Sequence, residues 1–142
     1  MTIYNFDDKN IKWYKLGDFE HFVISVLDVD EKNSIMDVLV KFDAHQQIVL
    51  HKHKEHNNSF VVQGEHCLYE ANGKLKEVRA VGSYTSSPAS DEPHRECGGD
   101  DGAVVLFSLR GSGILYEVLD DEQNTIGTVS FQDLNDLFEA NQ

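Results

Sequence analysis

Residues 49–65 read VLHKHKEHNNSFVVQGE, and this stretch decides how the whole chain is interpreted. Three histidines, His51, His53 and His56, lie within six positions and are followed by an apolar run. If residues 48–53 form a strand, His51 and His53 point to the same face, because strand side chains alternate with a period of two. Two neighbouring imidazoles can bind one metal ion, and neutral imidazole suits zinc, iron, copper and nickel better than calcium or magnesium.

A third metal ligand has to come from elsewhere in the fold, and His94 is the strongest candidate. It follows the turn-rich residues 86–93, SSPASDEP, and could begin a strand that pairs across from His51 and His53. The alternative is that the histidine-rich stretch is a solvated turn between strands. His56 lies where the chain should turn, so we expect it to face solvent rather than a metal.

The rest of the chain predicts an all-β fold. Short alternating or β-branched runs, among them HFVISVLDV, MDVLVKF and AVVLFSLRG, are separated by turn residues at fairly even spacing. Asn72-Gly73 lies between two such runs and predicts a hairpin with a type I′ turn, because both central residues of that turn have positive φ. A second hairpin is expected around Gly111 and Gly113.

One helix is predicted at the end of the chain, over about residues 131–139. Ser130 is followed three residues later by Asp133, which resembles a capping box. The helix would have one apolar face, made of Phe131, Leu134, Leu137 and Phe138. The length of 142 residues suits a single domain, and we expect its barrel core over about residues 34–119.

The composition argues against two kinds of partner. The chain has 25 acidic and 12 basic residues and a net charge of −13, whereas nucleic acids are bound by clustered lysine and arginine. No apolar run approaches the roughly 20 residues of a membrane-spanning helix, and the first residues lack the apolar run of a signal peptide. We therefore expect a cytoplasmic protein that binds neither nucleic acid nor membrane. Two cysteines do not suggest a disulfide scaffold.

These features resemble the two sequence motifs of the cupin superfamily. The matching residues are His51, His53 and Gly64 in the first motif and Gly82, Pro88 and His94 in the second. The layout is similar to the cupin subgroup that includes acetylacetone dioxygenase, dihydroxyacetophenone dioxygenase and the zinc-binding cupin domain of an anti-sigma factor. IKWYKLG near the start and GILYEVLDDEQNTIG near the end extend the resemblance over about residues 11–137.

The resemblance implies a single cupin domain over residues 1–142, that is, an RmlC-like jelly roll (a double-stranded β-helix barrel) with a short C-terminal helix. It also implies that His51, His53 and His94 bind one divalent metal ion. Asn57 stands where the first motif has a metal-binding glutamate, so a carboxylate ligand is not expected. Glu92 and Glu96 flank His94 and could fix its tautomer, but we favour an acidic loop as their interpretation.

Three neutral ligands would leave the full charge of the metal to attract an enolate or a diketonate. On octahedral iron they would also leave roughly three positions for water, a chelating substrate and dioxygen. Together with this site, the resemblance to the dioxygenase subgroup implies an Fe(II)-dependent dioxygenase-like enzyme acting on a small enolisable carbonyl compound, either a β-diketone or a hydroxyaryl ketone. Zn(II) or Ni(II) are the other metals considered, and zinc would form a tetrahedral site with one water.

The alternative function is a non-catalytic cupin that binds zinc or a small ligand and acts as a sensor or regulatory module. It is favoured by the absence of the motif glutamate, since Asn57 occupies that position. For either function we expect a homodimer, as the resemblance implies. The exposed edge of an open β-barrel gives a physical reason for such pairing.

Overall fold

The computed structural model describes residues 5–142, which form nine strands followed by one helix. In chain order the elements are β1 Phe22–Asp30, β2 Ile35–Phe42, β3 His51–His53, β4 His56–Glu70, β5 Leu75–Arg79, β6 Tyr84–Ser87, β7 His94–Arg110, β8 Ile114–Leu119, β9 Thr125–Ser130 and α1 Phe131–Ala140. The strands run in the order β1-β2-β7-β3-β8-β9, and β4 joins β5 and β6 to β7. The predicted all-β jelly-roll barrel with a short C-terminal helix is confirmed.

Strand β7 is long enough for its two halves to pair with different strands of the barrel. Its residues 103–110 pair with β2 on one side and with β4 on the other. Its residues 94–98 still pair with β4, but here His94 stands opposite His51 of β3. The beginning of β7 therefore lies at the end of the barrel that β3 and β8 occupy.

Gly64 lets β4 and β7 approach closely where the sheet bends. Its φ is +72°, and a Cβ atom at this position would collide with the backbone carbonyl group of Gly102. The pairing of β4 with β7 shifts register on both sides of this point, between Val61 and Gln63 and again after Gly64. Such irregularities bend a strand and increase its twist, which helps to close the barrel.

The two predicted hairpins have different outcomes. Strands β4 and β5 do form a hairpin, but Gly73 has a φ of +86° while Asn72 is not among the positive-φ residues, so the predicted type I′ turn is wrong. The amide of Gly73 donates to the carbonyl of Glu70 at 2.9 Å, which closes a turn one residue earlier. The hairpin predicted around Gly111 is also wrong, because β8 pairs with β3 and β9 rather than with β7.

The C-terminal helix closes one end of the barrel. Its capping box is present as predicted: the Ser130 side chain accepts from the Asp133 amide, and the Asp133 carboxylate accepts from the Ser130 amide. Phe131 and Leu134 are buried and belong to the same core as Met36 and other interior residues of the strands. Across residues 5–142, the structure has no helix with the length and hydrophobicity that crossing a membrane requires.

Candidate metal centre

Four side chains from two neighbouring strands converge at the open end of the barrel. His51 and His53 come from β3, and His94 and Glu96 come from the beginning of β7; one ligand atom from each lies within 4.8 Å of the others. The period of two places each pair on one face of its strand, and the antiparallel pairing sets His51 directly opposite His94. A strand does begin at His94 and pair with β3, as predicted, with His94 opposite His51.

His51 is held so that its Nε2 atom faces the cluster. Its Nδ1 lies 2.8 Å from the Val49 carbonyl oxygen, to which a protonated Nδ1 donates. Its Nε2 lies 2.8 Å from an oxygen of Glu96. Burial lowers the pKa of His51, but the Glu96 carboxylate and the Val49 carbonyl outweigh this effect, and the pKa is raised overall.

His53 and His94 present their Nε2 atoms to each other at 3.1 Å. Burial lowers the pKa of both imidazoles, and the neighbouring histidines lower it further, so that the pKa of His53 falls well below its usual value. Both rings are therefore neutral near pH 7. Two neutral nitrogens at this separation can both lie about 2.1 Å from one ion, the usual distance for imidazole nitrogen on zinc.

Glu96 is a buried carboxylate at the centre of the cluster, with an exposed fraction of 4%. Oε1 accepts a 2.7 Å hydrogen bond from Nε2 of His66, while Oε2 lies 2.8 Å from Nε2 of His51 and 3.7 Å from Nε2 of His94. Burial raises the pKa of Glu96, but the hydrogen bonds with His51 and His66, together with the nearby His94, hold it well below the usual value. The group is therefore ionised.

The position of Glu96 corrects the expectation that no carboxylate would be available. We favoured an acidic loop for Glu92 and Glu96, and this is wrong for Glu96, which lies inside strand β7. It is right for Glu92, whose exposed side chain pairs with Lys76 at 3.1 Å. The missed signal is the spacing of His94 and Glu96, which matches that of His51 and His53 and puts both side chains on one strand face.

Asn57 supports His53 from outside the cluster. It is buried, and its Nδ2 atom lies 2.9 Å from Nδ1 of His53. Rotation of the amide about the Cβ–Cγ bond exchanges nitrogen for oxygen, and the oxygen can accept from a protonated Nδ1. That arrangement would leave Nε2 of His53 unprotonated toward the cluster. Outer hydrogen bonds of this kind orient metal-binding histidines.

His66 holds the Glu96 carboxylate in place from the neighbouring strand β4. It is fully buried in β4, stacks on Phe42 with ring centroids 5.2 Å apart and donates to Glu96. It fixes the carboxylate so that the other oxygen faces the histidines. The sequence alone could not identify this role, because the partner strand of His66 is set by the long-range pairing of β4 with β7.

The remaining candidates lie outside the cluster. His56 lies outside the cluster, as expected, but it is half-buried at the start of β4 rather than in a solvated turn, and it contacts Asn58 Oδ1 at 2.9 Å and Ser86 Oγ at 3.1 Å. Cys97 is buried and donates to the Tyr69 hydroxyl at 3.3 Å. His45, at the position where the cupin motif has glycine, has a φ of +58°.

Two cavities share walls with the cluster, and both are lined by His53, Glu96 and Phe107. One has a volume of about 80 Å³, extends into the barrel interior and is lined mainly by aliphatic and aromatic side chains. The other has a volume of about 240 Å³, and its lining includes Arg79 and Ser90 among other charged and polar side chains. A ligand in either cavity would lie against the cluster.

Comparison with known proteins supports the fold. No protein-family model matches the sequence, and no curated protein shows significant similarity to it. An RmlC-like cupin from Ralstonia eutropha has a TM-score of 0.74 at 17% identity, over 95% of this chain and 83% of that one. The acetylacetone dioxygenase of Acinetobacter johnsonii has a TM-score of 0.69 at 12% identity, over 100% of this chain and 93% of that one.

A third similar structure, from Methylibium petroleiphilum, is provisionally assigned as an acetylacetone dioxygenase; its TM-score is 0.63 at 14% identity, over 97% of this chain and 95% of that one. At these identities the likeness is one of fold. The chain therefore has the cupin fold that the sequence motifs predicted.

The donor set fits a transition metal. Three imidazoles and one carboxylate suit iron, zinc and nickel. The cluster has no sulfur ligand, which soft ions prefer, and it is not made of oxygen ligands alone, which calcium and magnesium prefer. The hydrogen bonds of His51 with Val49 and of Glu96 with His66 hold two of the groups in place from outside. The cluster of His51, His53, His94 and Glu96 could hold one metal ion.

Proposed function

We propose that this protein is a metal-dependent cupin enzyme of the dioxygenase type, acting on a small enolisable carbonyl compound such as a β-diketone or a hydroxyaryl ketone. His51, His53 and His94 would bind the metal through Nε2, and Glu96 would add a carboxylate oxygen. The single observation that carries the proposal is the convergence of these four groups at the place where two cavities meet. The similar acetylacetone dioxygenase structure supports the choice of reaction.

Each part of the site has a role in such a reaction. A bound Fe(II) ion would supply redox chemistry with dioxygen and a Lewis acid for the carbonyl oxygens. The ionised Glu96 lowers the positive charge that we expected from three neutral ligands, which reduces the attraction for an enolate but does not remove it. Phe107 and Tyr116 pack beside the histidines and help to exclude water from the reacting carbonyl group.

The proposal is tested by oxygen uptake. Protein loaded with Fe(II) without air is mixed with β-diketones and hydroxyaryl ketones, and oxygen consumption is followed with an electrode. We expect uptake with at least one compound and none with the matched variant His53→Ala. Absence of uptake across the panel with the metal-loaded wild-type protein would remove the oxygenase proposal.

A second candidate function is a zinc-binding sensor or regulatory module, and one observation favours it. Four protein donors rather than three converge on one point, and four are enough to complete a tetrahedral zinc site. Such a site keeps no position for a substrate. Elemental analysis after native purification separates the candidates: tightly held zinc without iron supports the sensor, and iron supports the enzyme.

We further propose a homodimer in a reducing cytoplasm. Several apolar side chains on β4 to β6 are exposed, including Val81 at 62% and Tyr84 at 63%, and a second copy could cover them. The cytoplasmic location rests on the composition, because two cysteines in 142 residues do not form a disulfide scaffold. Light scattering after gel filtration tests the dimer, and a monomeric mass at micromolar concentration would reject it.

A further inference from the structure

The polar cavity beside the cluster contains an arginine that no role so far accounts for. Arg79 is the last residue of β5, and it lines the cavity of about 240 Å³ together with His53, His94 and Glu96. The other residues of β5 are exposed, whereas the Arg79 side chain has an exposed fraction of only 13%. A guanidinium group is thus held mostly out of water next to the candidate metal centre.

The hydrogen bonds of Arg79 use only part of its guanidinium group. Nη1 donates to the Ser59 hydroxyl at 3.4 Å and Nη2 donates to the Glu77 carboxylate at 3.2 Å, both long for bonds from a cation. Nε is buried and has no hydrogen-bond partner. A buried donor without a partner is costly, so such a group is a candidate for ligand binding.

The neighbouring charges leave Arg79 as the cation available to a ligand. Lys76 also lines the cavity, but its ammonium group pairs with Glu92 at 3.1 Å. Arg79 also has an acidic partner, Glu77, but the Arg79 side chain is only 13% exposed, against 46% for Lys76, so its guanidinium is the less hydrated of the two cations. In a chain with a net charge of −13, a shielded guanidinium is the feature of this cavity that could attract an anion.

The chemistry favours a carboxylate over a phosphate as the ligand of Arg79. The planar guanidinium fork matches the two oxygens of a carboxylate, which two of its nitrogens can bind together. A phosphate dianion would need more donors, and it would meet Glu77 and Glu92 in the same cavity wall. A carboxylate carries a single charge, which the single guanidinium neutralises.

We infer that the substrate of this site is an enolisable dicarbonyl compound that carries a carboxylate, with the carboxylate on Arg79 and the dicarbonyl unit against the His51–His53–His94–Glu96 cluster. The inference rests on the proposed function and makes it narrower, because it distinguishes this protein from an enzyme for neutral β-diketones. Arg79 acts here as a specificity-determining residue that binds the substrate away from the reacting atoms.

The test compares two ligands that differ only in charge. 4,6-Dioxoheptanoate carries a β-diketone and, two methylene groups away, a carboxylate; its methyl ester keeps the diketone and loses the charge. Binding of each to Fe(II)-loaded protein is measured by calorimetry without air. Since hydrogen bonds to charged groups contribute strongly, we expect the acid to bind roughly 10- to 100-fold more tightly than the ester.

Variants assign this preference to Arg79. In Arg79→Gln the acid should bind no more tightly than the ester, because the acid loses the charge partner that the ester does not have. Arg79→Lys keeps the charge without the fork and should keep part of the preference. The matched control is Arg110→Gln, which removes an equal charge from an exposed residue that does not line the cavity.

The outcomes separate this inference from the proposed function. The inference is overturned if the wild type shows no preference for the acid, or if the preference persists in Arg79→Gln. In either case, binding of the ester to the loaded protein would leave the proposed function standing. A preference for the acid that depends on Arg79 but not on the metal supports the arginine site and counts against the diketone site. Failure of both ligands to bind overturns both proposals.

Discussion

The two cavities that meet at the cluster have opposite linings. The smaller one, of about 80 Å³, is surrounded by core residues such as Val38 and by Leu134 of the C-terminal helix. The larger one, of about 240 Å³, is bounded by Arg79, Lys76 and the connection between β6 and β7. His53 belongs to both walls. The difference suggests that a polar ligand approaches from the larger cavity, while the smaller one provides packing and a dry wall.

Removing His53, a cluster residue that lines both cavities, should have the largest effect. We expect His53→Ala to weaken metal binding by at least 100-fold, because loss of an outer partner alone typically costs about 10- to 100-fold. Metal content is measured by elemental analysis after loading and gel filtration. His56→Ala, three residues away and outside the cluster, is the control and should bind as the wild type does. A full equivalent of metal on His53→Ala would contradict the assignment.

A substitution in the apolar cavity should lower the stability of the fold without changing the metal affinity. Leu134→Ala removes a side chain with an exposed fraction of 2%, and we expect it to lower the free energy of unfolding by about 2–5 kcal/mol. Urea unfolding provides the measurement, with the exposed Leu27→Ala as control, for which we expect a change within about 0.5 kcal/mol. If Leu134→Ala lowered the metal affinity as strongly as His53→Ala does, packing in the apolar cavity and metal binding would not be independent.

A substitution in the wall of the polar cavity should lower the metal affinity. We expect Asn57→Leu to weaken metal binding by about 10- to 100-fold, because His53 loses the partner of its Nδ1 atom. Asn57→Asp keeps an acceptor at the same place and should retain most of the affinity. Both are measured by competition with a chromophoric chelator. Equal affinities of Asn57→Leu and wild type would mean that Asn57 has no part in orienting His53.

The smallest effect should come from pH. The pKa of His51 is raised by Glu96, and a metal ion must displace the His51 proton wherever that proton is bound. Metal affinity should therefore rise by up to about tenfold per pH unit as the pH increases from 6, and level off once the pH has passed the raised pKa. Calorimetry in buffers of different ionisation enthalpy would detect the released proton. Affinity that does not vary between pH 6 and pH 8 would contradict this coupling.

The sequence predicted the parts of the site that depend on local periodicity. The spacing of His51 and His53 placed them on one face, and the turn-rich stretch before His94 indicated where the partner strand begins. It did not predict that Glu96 would be buried, because burial at the start of β7 depends on its pairing with β3 and β4 at long range. A glutamate two residues after a histidine is, by itself, equally consistent with an exposed strand end.

The same limit applies to the fold. Alternation and turn residues predicted the strands and the terminal helix with its capping box. The glycines at 111 and 113 correctly indicated a turn but could not show which strand follows which in the sheet. Here the chain leaves β7 and joins β8 to β3 and β9, and the amide of Gly111 donates to the Ser34 carbonyl at 2.9 Å instead of closing a hairpin.

A crystal structure of natively purified protein, with anomalous scattering recorded at the iron and zinc absorption edges, tests the central claim most directly. We expect a single ion about 2.0–2.2 Å from the nitrogens of His51, His53 and His94 and from an oxygen of Glu96. An ion bound by other residues, or imidazoles at 51, 53 and 94 that stay clear of any ion in metal-soaked crystals, would contradict it.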